Sequence, residues 1–119
     1  MYYQPTTPKI DIKINDIYTI HYFEYRKDYV FEGEKHNFYE ILYVDKGEVI
    51  ASVNENNCIL KQSQLVVYSP MEFHLIRAND TVAPNTIIVS FSSDAKCLKH
   101  LKNQVYYVND YVRSLLAGI

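Results

Sequence analysis

The chain has 119 residues, with 14 Asp and Glu against 12 Lys and Arg, so its formal charge is 12 − 14 = −2. That balance offers little attraction to phosphate and excludes strong nucleic-acid binding by these residues alone. The length fits one domain with a buried core, and 48% hydrophobic against 22% charged residues argues against disorder.

Residues 1–9, with Pro5 and Pro8, read as an extended arm. Strict alternation in Ile10-Asp11-Ile12-Lys13-Ile14 predicts a first short strand, and the β-formers of Ile17 to Tyr25 predict a second, ended by Arg26-Lys27-Asp28. Further strands are expected at Tyr29 to Phe31, Phe38 to Val44, Glu48 to Val53, Cys58 to Lys61, Leu65 to Tyr68, Phe73 to Arg77 and Thr86 to Ser92. Turn residues separate them, including Asp45-Lys46-Gly47 and Asn54-Glu55-Asn56-Asn57. Short strands at regular spacing predict an all-β barrel or sandwich over 10–93. After Ser92 the period changes. Leu98, Leu101 and Val105 fit a helical stripe capped by Ser93 or Asp94 and packed on the barrel, and Asn109-Asp110 caps a second helix to Leu116. The apolar side Val112, Leu115, Leu116 is a candidate dimer contact. No apolar run reaches the roughly 20 residues that cross a bilayer, and the N-terminus lacks signal-peptide features, so no membrane association and a cytoplasmic location are expected. Cys58 and Cys97 read as reduced, structural thiols.

The chemistry concentrates in two stretches. Glu34, His36 and Glu40 are spaced by even numbers, so on extended backbone all three point to one face. His74 follows Pro70 at the start of another strand, and Arg77, farther along that segment, is expected on the face of His74, where a guanidinium could clamp an anion. Tyr22, Tyr43 and Tyr68 are candidates to line a cavity through rings and hydroxyls, whereas His21 and His100 have no evident partner. Converging imidazoles and carboxylates could hydrogen-bond a polar ligand or hold a divalent metal.

The order His36, Glu40, Gly47 resembles the latter part of the first cupin motif, and Pro70 with His74 the second. The segments Gly33 to Glu48, Leu60 to His74 and Asn85 to Phe91, with the tail at Leu98, Leu101, Val108-Asn109 and Leu115-Leu116, resemble the N-terminal sensor domain of AraC-type transcription regulators. The resemblance covers residues 15–119. It implies a cupin-like double-stranded β-helix barrel with a short helical C-terminal segment, small-effector binding in the barrel, a homodimer, and no enzymatic activity. Contact with DNA would come only through a helix-turn-helix domain beyond Ile119. The ligand-binding candidates are Glu34, His36, Glu40, His74, Tyr43 and Arg77. No cofactor is expected, and a divalent metal, if held, would sit on His36, Glu40, His74 and Glu34. Two departures weaken the metal reading: Glu34 stands where many cupins have a His, and Lys61-Gln62-Ser63-Gln64 lacks the Gly expected in that turn. The alternative is a stand-alone metal-dependent cupin enzyme, an isomerase or oxygenase.

Overall fold

The computed structural model describes residues 12–118. In chain order the elements are β1 (Asp16–Glu24), β2 (Val30–Glu34), β3 (Tyr39–Lys46), β4 (Glu48–Val53), β5 (Asn56–Lys61), β6 (Gln64–Tyr68), β7 (His74–Arg77), β8 (Asn85–Ser92), a 3-10 turn (Lys96–His100), β9 (Tyr106–Tyr107) and α1 (Asp110–Ala117). One antiparallel sheet has the order β1-β8-β3-β6-β9 and the other β2-β7-β4-β5. They face each other because each strand alternates its side chains between inside and outside. The inner face of β3 supplies Glu40, Leu42 and Val44. Leu42 and Val44 join Val49, Ala51, Leu60, Val66, Tyr68 and Ile76 in the buried core.

The turns follow local chemistry. Asn54 and Glu55 both take positive φ (51° and 68°), the primed two-residue turn whose twist matches a hairpin. Gly47, at φ 75°, joins β3 to β4, where a Cβ would stand 3.0 Å from Val82 Cγ1 and 3.3 Å from Pro84 Cα. In the turn that lacks the expected Gly, Ser63 itself adopts φ 71°. Its cost, about 1 kcal/mol for an L-residue, is offset by three contacts: Ser63 N–H donates to Val44 O, Val108 N–H donates to Ser63 O, and the Arg113 guanidinium donates to Ser63 Oγ. The serine thus fastens the C-terminal segment to the β5–β6 turn.

Three expectations need correction. The strand predicted from Ile10 to Ile14 begins outside the described residues, and 12–15 are not strand. Ladder pairing starts at Asp16 opposite Ser92, the last residue of β8, so the preceding segment has no strand to pair with. Ile12 and Ile14 instead line an apolar groove with Ile41, Val67 and Leu98 on the outer face of the larger sheet. The arm at 1–9 also lies outside the described residues. Secondly, the helix expected from residue 94 is a single 3-10 turn without a side-chain cap. Ser93 Oγ accepts from Ala95 N–H instead, Asn103 reverses the chain at φ 65°, and Tyr106–Tyr107 pair with β6. The open edge of β6 overrides a marginal helical period. Leu98 and Leu101 do pack on the barrel, while Val105 is exposed. Thirdly, Cys97 is exposed; Cys58 is half-buried, with burial raising its thiol pKa.

The second helix forms as expected, and Asn109 Oδ1 accepts from Val112 N–H as its cap. Leu116 lines a surface pocket together with Ile20, Tyr22 and Ile87, whereas Val112 and Leu115 are exposed. Asn109→Ala is expected to remove about 1 kcal/mol from this helix. Hydrogen exchange should show faster exchange in α1 and unchanged protection in β3 and β8. Among the described residues no helix is long and apolar enough to cross a membrane.

Candidate functional site

A cavity of about 280 Å³ lies between the edge strands β1 and β2 of the two sheets. β1 contributes Thr19, His21 and Phe23, the connection to β2 adds Tyr25 and Tyr29, and Phe31, Phe38, Ile76 and Ile88 complete the apolar wall. Phe23 stacks on Tyr25 (5.4 Å) and Tyr25 on Tyr29 (4.2 Å), an aromatic series along one side. Burial pushes the Tyr25 phenol up to about 12 and also raises Tyr29, so both hydroxyls stay neutral near pH 7.

Glu34, His36 and Glu40 line the same cavity, and His74 lies behind them. His36 Nε2 is 2.6 Å from Glu34 Oε1 and 3.9 Å from Glu40 Oε1, and His74 Nε2 is 2.7 Å from Glu40 Oε2. Register explains the convergence: Glu34 pairs with His74 across β2 and β7, while Glu40 faces Ser90 and Tyr68 on its two neighbouring strands. Ser90 Oγ donates to Glu40 Oε1 (3.3 Å). The His36 ring lies parallel to Phe38 at 4.7 Å, and its carbonyl accepts from Met71 N–H, which ties it to the loop after Pro70. His74 is 2% exposed; Tyr68 stacks on its ring at 4.3 Å and donates its own hydroxyl to Ser52 O.

The protonation of His74 follows from its partners. Nδ1 lies 3.1 Å from Glu72 O, a carbonyl that can only accept, and Nε2 faces a carboxylate. Both nitrogens thus face acceptors, an arrangement that favours the charged ring with Glu40 as its counter-ion. Burial opposes the charged ring, but the hydrogen bond and charge of Glu40, the Glu72 carbonyl and the Glu34 charge outweigh it, so the His74 pKa is raised above 6.5.

Two candidates fall elsewhere. Tyr43 is buried on the outer face of β3, odd-numbered from Glu40, between Leu65 and Ile87 of the neighbouring strands. Arg77 is exposed on the opposite face of β7 from His74, because three positions along a strand reverse the side chain. Of the other tyrosines, Tyr22 is exposed and donates to Asp45 Oδ2, and Tyr68 supports His74 from the core. Sequence reading missed His21, Phe23, Tyr25, Tyr29, Phe31 and Phe38 as wall residues. The alternation of Thr19, His21 and Phe23 was the available signal. Their assignment to the cavity needed the location of β1 at the sheet edge.

The AraC-like ligand-binding domain model matches residues 16–95. The chain belongs to this family. Solved structures agree on the fold. A ToxT variant from Vibrio cholerae, without ligand, superposes with a TM-score of 0.61 at 10% identity over 83% of this chain and 45% of that one. ToxT with bound unsaturated fatty acid gives 0.57 at 14% over 90% and 47%. A cupin superfamily protein from Desulfitobacterium hafniense gives 0.57 at 11% over 70% and 84%. This AraC-like domain therefore has the cupin fold, and it spans under half the length of ToxT. No curated protein matches its sequence.

Proposed function

We propose that this domain is the sensing module of an AraC-type transcription regulator, binding a small effector between its sheets. The observation that carries this reading is the group Glu34, His36, Glu40 and His74 set against an aromatic-walled cavity. ToxT carries an unsaturated fatty acid, a small-molecule precedent on the same fold. The site also has a path to the C-terminal segment. β6 runs from Tyr68, stacked on His74, to the Ser63 turn that holds Arg113 of α1. An effector that displaces the Glu40–His74 pair would be felt at the helix, and it changes DNA affinity only if it binds one helix arrangement better than another. DNA contact and dimerisation belong to this reading as properties of the whole regulator.

A thermal-shift screen of metabolites, with and without chelator, tests it. At least one metabolite should raise the melting temperature saturably by binding the folded state. His36→Ala should abolish that shift and Arg77→Ala should preserve it. An effector response that survives alanine at both His36 and Glu40 would sink the assignment.

One observation favours a second reading. Donor atoms of His36, Glu40 and His74 lie within 4.8 Å of one another, close enough to share a divalent ion. These residues fit a metal of mixed nitrogen and oxygen preference, which would supply Lewis-acid chemistry in a cupin enzyme. Stoichiometric metal in the purified chain, lost in His74→Ala, would support that reading over the first.

A further inference from the structure

We infer that the cavity selects a small ammonium compound on an apolar or aromatic body and rejects carboxylates. This deepens the effector-site reading and rests on it. Among the described residues no Lys or Arg lines the cavity. Arg26 is exposed and paired with Asp28, Arg77 points away, and Lys35, between two cavity residues, faces solvent.

Both His74 ring nitrogens are occupied, one by Glu40 (2.7 Å) and one by the Glu72 carbonyl (3.1 Å), and His36 Nε2 is held by Glu34 (2.6 Å). What stays open to a ligand is acceptor-rich: the second oxygen of Glu34, and Glu40 Oε1, which has only the long contacts from Ser90 (3.3 Å) and His36 (3.9 Å). A carboxylate entering here would meet two carboxylates, with only the ring N–H groups of His21 and His36 among the described lining residues to set against them, and its desolvation would go largely uncompensated. An ammonium group brings three donors and a positive charge to those oxygens.

The walls complete the match. The rings of Tyr25, Tyr29, Phe31 and Phe38 line the cavity and give the ligand's apolar body a surface to cover, with aromatic electron density near its cation. The small volume limits the ligand to a compact amine. A neutral polyol would find mainly acceptors and aromatic carbon, with the tyrosine hydroxyls, His21, Thr19 and Ser90 as the other polar partners.

Calorimetric titration of the full chain with phenethylamine, 3-phenylpropionate, 2-phenylethanol and glucose, in chelator at fixed ionic strength, tests this. Phenethylamine should bind saturably, and Glu34→Gln, at a half-exposed position the fold tolerates, should weaken it about tenfold or more. 3-Phenylpropionate should not bind. Phenethylamine failing to bind, binding that ignores Glu34→Gln, or the acid binding as tightly as the amine would each overturn the inference. If another probe binds and loses its affinity in His36→Ala, the effector site stands while its charge preference falls. If neither these probes nor the metabolite screen gives His36-dependent binding, the effector reading fails and the inference with it.

Discussion

Glu40→Ala is expected to cost about 3 kcal/mol of stability and to abolish effector binding, because it strips the buried His74 ring of its counter-ion. The expected loss stays near the lower end for a broken buried pair, since imidazole can shed its proton rather than remain an uncompensated charge. Urea unfolding would show a lower midpoint with unchanged slope. Glu40→Gln separates charge from hydrogen bonding by keeping an acceptor near Nε2. The pH dependence has a definite sign. The folded His74 holds its proton more tightly than the unfolded chain does, so the pair contributes fully below pH 6.5 and loses its contribution as pH rises through the folded-state value. The advantage of wild type over Glu40→Gln should therefore shrink as pH climbs above 6.5. A difference that grows with pH would show that His74 is neutral and that Glu40 plays another part.

Leu42→Ala should cost a similar amount, about 3 kcal/mol, by a different mechanism. Leu42 lies two residues from Glu40 on the same face of β3 and is fully buried among Val49, Leu60, Val66 and Ile76. Truncation removes apolar burial and leaves a cavity that the strand ladders on both sides of β3 keep from collapsing. Ligand affinity should change little once the protein is held below its unfolding transition. The pair of variants thus separates the two roles of β3: Glu40 couples stability to binding, and Leu42 supports stability alone. A loss below about 1 kcal/mol for Leu42→Ala would contradict the placement of the core.

Much of the fold was legible because β-formers and turn residues act locally. Strands β1 to β8 fall within a few residues of their expected positions, and the Asn54-Glu55 turn and the Asn109 cap are written in single side chains. Where reading failed, a partner distant in sequence decided. Residues 12–14 alternate like a strand but have no ladder beyond Ser92, and Tyr106-Tyr107 leaves a helical pattern to complete the edge of β6. The candidate site divides in the same way. Glu34, His36 and Glu40 do converge, yet not on one strand face as their even spacing suggests: Glu34 ends β2, His36 lies in the bent connection and Glu40 belongs to β3 of the other sheet, while Tyr43 and Arg77 fail on the odd spacing that turns them outward.

The sequence by itself determined the class of domain and its family, because motif spacing and strand alternation survive without knowledge of the partner strand. It also set the expectation that these residues, at charge −2, do not grip DNA by themselves. Only the tertiary structure decided which rings wall the cavity, that Glu40 is the counter-ion of a buried His74, and that no Lys or Arg among the described residues lines the cavity. Those features depend on which strand edges meet and at what register, and register is set by pairings across dozens of residues.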